Sequence, residues 1–239
     1  METVIVWILA FLTTQAPPSR PSYYPEAQET PAEATARYTS IASDIRDIVY
    51  DPAESPLFKG PNGRAQTASI VESIMLHESG FRKDVDYGLG KAGVGDGGTS
   101  WCLMQVKLGH MKDGHTEKRI IPTPDGGFRY TTDPTQGFGG EDLISNRKAC
   151  IQAGLHIVRR SFGACSRMPI KQWLDSYASG SCEGGQDASE RRMGLAINWF
   201  AAHKPSFQDS DIHVTSQPII LTTTARQANV VGIAELQPN

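Results

Sequence analysis

The residue of this sequence best suited to acid–base chemistry is Glu78, in the last turn of a predicted helix. Its carboxyl lies one turn beyond Ile74 and two turns beyond Val71, so it shares a helix face with apolar side chains. Burial beside apolar groups penalises the carboxylate, which raises the pKa of the acid and keeps it protonated as a general acid. A solvated glutamate at a helix end is the alternative, and spacing does not decide between the two.

A glycine-rich loop follows Glu78 directly. Seven glycines lie in the stretch 80–98, and the loop leads to Trp101 and a short apolar run that ends at Met104. A general acid at the edge of an open loop suits a long polymeric substrate. The six histidines show no metal-ligand pairing, and His77-Glu78 has no histidine after it at the position that zinc proteases use. We therefore expect neither a metal nor another cofactor.

Three short motifs give the sequence a resemblance to a known enzyme family. In chain order they are Glu78–Phe81 (ESGF), Cys102–Gln105 (CLMQ) and Tyr177–Gly180 (YASG). They resemble the Glu-Ser, Gly-Leu-Met-Gln and Tyr-Asn-Ala-Gly motifs of the lysozyme-like lytic transglycosylases. The stretch 95–106 is most similar to goose-type lysozymes, and the whole resemblance covers residues 64–200.

The resemblance implies a mainly α-helical, lysozyme-like domain with long glycine-rich loops that cleaves peptidoglycan. The bond cut would be the β-1,4 linkage between N-acetylmuramic acid and N-acetylglucosamine, with Glu78 as the single acid and base. A transglycosylase then closes a 1,6-anhydro ring on the muramoyl sugar without water. The same motifs imply glycan-binding roles for Gln105 and Tyr177, and we add Ser79 and Trp101 as candidate glycan contacts.

The sequence differs from the family pattern in the second and third motifs and at one of the positions that distinguish hydrolysis from ring closure. Cys102 replaces the first glycine of the Gly-Leu-Met-Gln motif, and Ala178-Ser179 replace Asn-Ala. Goose-type lysozymes use two aspartates here to position the hydrolytic water. Asp96 falls on the first position and is a further candidate site residue, but Lys107 occupies the second. A lysine is protonated at neutral pH and is a poor base, so the sequence favours the anhydro product.

Two alternatives to the transglycosylase stay open at this point. A hydrolytic lysozyme would use Asp96 alone to position water. A non-catalytic member of the same fold would bind glycan or serve as a structural part of an envelope or virion. The intact Glu78, Gln105 and Tyr177 favour catalysis over the non-catalytic alternative. In all three cases the expected partner is the glycan strand of peptidoglycan.

The N-terminal residues predict an exported protein. Residues 4–12 form an apolar run of signal-peptide length, and residues 14–16 (TQA) loosely fit a cleavage site. A buried N-terminal helix is the alternative. The expected location is the periplasm, the cell envelope or the extracellular space, or a phage particle. A membrane or envelope tether through this segment is left open.

The cysteine content fits an oxidising compartment. Four cysteines can form two disulfides, and the sequence alone does not choose among the three pairings. We favour Cys102 with Cys150 and Cys165 with Cys182, because the second pair would close the segment that carries Tyr177.

The composition divides the chain into four segments. An N-terminal apolar segment (1–16) precedes a Pro-rich linker (17–36), the lysozyme-like catalytic domain (37–202) and a C-terminal extension (203–239) whose structure is left open. With 23 Lys and Arg against 26 Asp and Glu, the chain has no excess of basic residues for binding nucleic acid. Apolar periodicity predicts helices at 38–50, 64–79, 141–162 and 188–202, with a short helix after Pro169.

Overall fold

The fold is mainly helical, as the sequence predicts. The structure is a computed structural model that describes residues 2–19, 22, 24–91, 93–110, 117–216 and 219. Within these residues the chain forms eight α-helices and two short antiparallel hairpins. The helices are α1 (Glu2–Gln15), α2 (Pro31–Val49), α3 (Gly63–Ser79), α4 (Lys83–Tyr87), α5 (Gly140–Ser145), α6 (Arg147–Ala164), α7 (Asp175–Ser179) and α8 (Gln186–Ala202). The strands are β1 (Ser100–Trp101), β2 (Val106–Lys107), β3 (Arg119–Pro122) and β4 (Phe128–Thr131).

Helix α3 is central to the core and carries Glu78 in its last turn. It contacts α8 most extensively, and also α2 and α1. It begins at Gly63, a position that requires glycine because a Cβ atom there would approach the Phe58 carbonyl oxygen to 2.1 Å. Its end is fixed at Gly80, which has φ +60° and donates its N–H to the Leu76 carbonyl at 2.9 Å. The predicted bounds and the predicted glycine stop are therefore confirmed.

The N-terminal apolar run forms helix α1, which is packed into the core. The edge of the Phe11 ring meets Trp199, with centroids 5.1 Å apart, and the Trp7 indole N–H donates to the His203 carbonyl at 2.6 Å. The fully buried face of the helix consists of Val4, Ile8, Phe11 and Leu12. This packing agrees with the buried-helix alternative, and the export role of the segment stays a prediction. Among the described residues, no helix combines the length and apolar character needed to cross a membrane.

Helix α2 begins earlier than the sequence predicts, at Pro31. Thr30 caps it, since the Glu33 N–H donates to the Thr30 hydroxyl oxygen at 3.2 Å and the Thr30 N–H donates to the Glu33 carboxylate at 2.7 Å. Pro31 occupies the first helical position, where an N–H has no partner within the helix and its absence costs little. The prediction of an extended linker is therefore wrong over 31–36, where a proline marks the start of a helix.

The long helix predicted at 141–162 is two helices, α5 and α6, separated by Asn146. Asn146 is extended, and its side-chain oxygen accepts from the Ala149 N–H at 3.2 Å, so it starts a new helix. The break gives Arg147 a position from which its guanidinium binds Asp44 at 2.6 Å and Asp86 at 2.8 Å. The short helix predicted after Pro169 is a 3₁₀ turn followed by α7, and the predicted last helix corresponds to α8.

Both hairpins escaped the sequence analysis. Strands β1 and β2 pair Ser100 with Lys107, so the second motif, 102–105, forms the turn between them. Strands β3 and β4 pair along their whole length, around a turn of sequence Pro-Asp-Gly-Gly at 124–127. A turn of this composition between two runs rich in β-branched and aromatic residues is typical of a hairpin. The sequence therefore contains a signal from which the second hairpin could have been predicted.

Two disulfides join the helices to the loops, with the predicted pairing. Cys102–Cys150 ties the turn between β1 and β2 to α6, and Cys165–Cys182 ties the end of α6 to the loop after α7. Both bonds are compatible with an exported protein, because disulfides persist in oxidising compartments.

The C-terminal extension begins as a segment packed against α3. Phe207 is buried, and the Asp209 carboxylate accepts the Arg64 N–H at 2.7 Å and the Ala65 N–H at 3.2 Å. The extension therefore caps the first turn of α3 with a negative charge, which the helix dipole favours. Its remainder, at 217–218 and 220–239, lies outside the described residues.

The burial of α1 predicts a large effect of Phe11→Ala on the full-length chain. We expect the free energy of unfolding to fall by about 3–5 kcal/mol, because loss of the ring leaves a cavity against Trp199. Val6→Ala is the matched control, since Val6 lies on the same helix and is 62 % exposed. We expect its effect to stay within about 0.5 kcal/mol in urea denaturation. Equal effects of the two substitutions would show that α1 is not part of the core.

Candidate active site

A cleft of about 590 Å³ lies where the end of α3 meets α6, α7, α8 and both hairpins. It brings together four of the residues that the sequence analysis selected from distant parts of the chain. These four are Glu78, Asp96, Gln105 and Tyr177. An acid, a second carboxyl, an amide and a phenol therefore share one concave surface, which is a typical composition for a polar-ligand site.

The other two predicted glycan contacts, Ser79 and Trp101, have structural positions. Ser79 is buried, and its hydroxyl donates to the Met75 carbonyl at 2.7 Å and accepts from the Phe81 N–H at 3.3 Å. Trp101 packs its indole against Gly140, where a Cβ atom would come within 2.1 Å of the ring. The expectation is therefore corrected for Ser79, because its hydroxyl is enclosed, whereas Trp101 is half-buried and its glycan contact stays a prediction.

The carboxyl of Glu78 is half-buried and paired with the guanidinium of Arg192. Its side chain is 18 % exposed, and one carboxyl oxygen lies 2.6 Å from an Nη atom of Arg192 on α8. Burial raises the pKa of Glu78 above its ordinary value. The positive charge of Arg192 lowers this pKa again in part, and the negative charge of Asp96 raises it further. The net direction is upward, as a general acid requires.

Arg192 is a site residue that none of the three sequence motifs selects. It follows Arg191, whose side chain is exposed, whereas Arg192 itself is half-buried. Consecutive residues on a helix point about 100° apart, so one of two adjacent arginines can face the core side while the other faces solvent. Arg192 precedes the buried Met193, and its backbone carbonyl accepts the hydroxyl of Ser73 at 2.8 Å, which fixes α8 against α3.

Tyr177 links α7 to the second sequence motif. Its hydroxyl donates to the Met104 carbonyl at 2.5 Å, and its backbone N–H donates to the Ser161 hydroxyl oxygen at 3.0 Å. Burial raises the pKa of Tyr177 well above its ordinary value, and the nearby charge of Glu78 raises it further. The phenol therefore stays neutral, and its ring is held as a fixed part of the cleft wall.

Gln105 is held in place by close backbone packing. Its backbone is left-handed, with φ +47°, and its amide nitrogen donates to the Cys102 carbonyl at 3.1 Å. A Cβ atom on Gly95 would lie 2.0 Å from the Gln105 amide oxygen, so glycine leaves open the space that this amide occupies. The amide therefore lies in the cleft with its nitrogen bonded to the Cys102 carbonyl.

The carboxylate of Asp96 lies in the cleft and is bonded to two other side chains. Its carboxylate accepts the Ser100 hydroxyl at 2.9 Å and the Lys107 ammonium at 3.3 Å, and these two bonds lower the pKa of Asp96. The side chain is 58 % exposed, in contrast to that of Glu78. The two carboxyls therefore differ in environment, with one driven towards the neutral acid and the other held as the anion.

Further lining comes from residues that the sequence analysis did not select. Phe128 and Tyr130 reach the cleft from β4, and Ile157 and Arg160 reach it from α6. Among the described residues, no group of three or more His, Cys, Asp or Glu side chains is placed to hold a metal ion.

Comparison of the chain with protein-family models, with curated proteins and with solved structures finds no match. The resemblance to lysozyme-like enzymes therefore rests on the three sequence motifs alone and stays a prediction. The motifs select Glu78, Gln105 and Tyr177, and the geometry adds Arg192.

The contacts of Glu78 predict how its pKa responds to substitution. In a ¹³C NMR titration, we expect Glu78 to titrate above its ordinary value of 4.5, because burial outweighs the charge of Arg192. Arg192→Met should raise this pKa further, since it removes the only cation paired with the carboxyl among the described residues. Arg191→Met is the matched control and should leave the pKa unchanged. Equal responses to the two substitutions would contradict the assigned ion pair.

Proposed function

We propose that the chain is a peptidoglycan-cleaving enzyme of the lytic transglycosylase type. The bond cut is the β-1,4 linkage between N-acetylmuramic acid and N-acetylglucosamine. The observation that carries the proposal is the position of Glu78. Its half-buried carboxyl has a raised pKa and lies in the same cleft as Gln105 and Tyr177. This is the arrangement that protonation of a glycosidic oxygen requires.

In the first step, the protonated carboxyl of Glu78 gives its proton to the glycosidic oxygen as the bond to the muramoyl C1 breaks. This step leaves a carboxylate in a partly buried position. Arg192, 2.6 Å away, supplies the positive charge that stabilises this anion. The cation therefore assists the product of the proton transfer, although it lowers the pKa of the starting acid.

In the second step, the Glu78 carboxylate accepts the proton of the muramoyl C6 hydroxyl while that oxygen bonds to C1. The proton returns to Glu78, the 1,6-anhydro ring closes, and the enzyme is restored without a water molecule. An intramolecular hydroxyl has a large advantage of proximity over solvent. One residue can therefore act first as acid and then as base.

A hydrolytic lysozyme is the second candidate, because Asp96 lines the same cleft as Glu78. Hydrolysis with inversion needs a second carboxylate that is free to act as a base towards water. The Asp96 carboxylate already accepts from Ser100 and Lys107, and the lowered pKa of Asp96 makes it a weak base. These contacts favour the transglycosylase over the hydrolase.

The proposed substrate lies outside the cytoplasm, so the proposal includes export of the chain or its delivery in a phage particle. The two disulfides support an oxidising compartment. The N-terminal apolar segment is the proposed export signal, or the tether to the membrane or envelope.

The proposed role of Glu78 is tested by Glu78→Gln, which removes the proton donor and keeps the shape of the side chain. We expect release of soluble glycan from purified peptidoglycan sacculi to fall at least about a hundredfold, the usual scale of general acid catalysis. Glu190→Gln is the matched control, because Glu190 is exposed on α8, and it should retain full activity. Near-normal clearing of sacculi by a folded Glu78→Gln protein would exclude Glu78 as the acid.

A further inference from the structure

The second hairpin brings two aromatic side chains to the cleft. Phe128 and Tyr130 are two positions apart on β4, so they project from the same face of the strand. Their rings meet edge to face, with centroids 5.3 Å apart. The Tyr130 side chain is an exposed aromatic group on the lining of the cleft, at 44 % exposure. An exposed aromatic ring, backed by the half-buried Phe128 on a concave polar surface, points to a ligand that has an apolar face and polar edges.

The hairpin holds this pair in a fixed position. The carbonyl of Gly127, next to Phe128, lies 2.5 Å from Nδ1 of His156 on α6. The other ring nitrogen of His156 lies 2.9 Å from the buried carboxylate of Glu54. The turn is therefore fastened to α6 by a buried network, and the aromatic pair is ordered before any ligand arrives, which lowers the entropic cost of binding.

Two cations flank the aromatic pair. The Arg160 guanidinium lies 5.1 Å from the centroid of the Phe128 ring, and the Lys118 ammonium lies 6.0 Å from that of Tyr130. Arg160 also lines the cleft. Two positive charges therefore lie beside the pair, which suits a ligand that carries a carboxylate.

We infer that Phe128 and Tyr130 form a stacking platform for a muramoyl ring of the glycan strand, with a carboxylate of the peptide stem on that sugar towards Arg160. A pyranose ring has an apolar C–H face that matches the exposed face of Tyr130, and its hydroxyls stay at the polar edges. The platform lies in the same cleft as Glu78, so a strand whose scissile bond meets Glu78 runs across it. This inference rests on the proposed function and adds a binding subsite to it.

The test measures binding of the full-length chain to purified peptidoglycan sacculi by co-sedimentation. Every variant carries Glu78→Gln, so that the glycan stays intact during the measurement. Tyr130→Ala should raise the apparent Kd about tenfold, because it removes the ring that stacks on the sugar. Tyr130→Phe keeps the ring and should stay within about twofold of the parent. Tyr87→Ala is the matched control, since Tyr87 is 47 % exposed on α4, and it should leave the Kd unchanged.

An unchanged Kd for a folded Tyr130→Ala protein would overturn the platform. A loss in Tyr130→Phe as large as that in Tyr130→Ala would overturn it as well, because the ring would then not be the binding group. Insoluble chitin, a neutral polymer of N-acetylglucosamine, should bind more weakly than sacculi, since it has no carboxylate for Arg160. Equal binding of chitin and sacculi would overturn the assignment to a muramoyl ring.

Glycan release from sacculi by the chain with Glu78 intact separates this inference from the proposed function. Cleavage that occurs without any dependence of binding on Tyr130 overturns the platform and supports the proposed function. Binding that depends on Tyr130 without any cleavage supports the platform and contradicts the enzyme. Absence of both binding and cleavage contradicts both.

Discussion

The candidate site depends on the ion pair between Glu78 and Arg192, at the contact between α3 and α8. A carboxyl removed from water needs a counter-charge or a proton, and the contact between these two helices supplies one cation at 2.6 Å. The hydrogen bond from Ser73 to the Arg192 carbonyl fixes the two helices at this level. The Asp209 cap fixes the opposite end of α3. The position of Glu78 is therefore set by helix packing at both ends of α3.

The segment after Glu78 concentrates the strained backbone of the described chain. Four non-glycine residues in the described ranges have positive φ, and all follow Glu78 closely: Phe81, Asp96, Cys102 and Gln105. Such conformations cost free energy and persist only where surrounding contacts enforce them. Here the disulfide from Cys102 to Cys150 and the buried ring of Phe81 provide those contacts. Two of these strained residues, Asp96 and Gln105, line the cleft, so the strained backbone lies at the candidate functional site.

The sequence predicts the parts of this protein that local chemistry determines. Helix α3 follows from apolar periodicity and ends at Gly80, because only glycine adopts the left-handed cap cheaply. The motifs predicted that Glu78, Gln105 and Tyr177 share a cleft. Arg192 was missed because its role depends on the rotation of α8 against α3, which is a tertiary property. The Phe128–Tyr130 pair was missed because a four-residue strand gives a weak periodic signal.

The central claim is that Glu78 acts alone as acid and base, without a water molecule. The most direct test is digestion of sacculi in H₂¹⁸O, followed by mass spectrometry of the new glycan ends. We predict 1,6-anhydromuramoyl ends that contain no ¹⁸O and are one water lighter than reducing ends, because the muramoyl C6 oxygen closes the ring. Reducing ends labelled with ¹⁸O, formed only while Asp96 is intact, would contradict this account and identify the enzyme as a hydrolase.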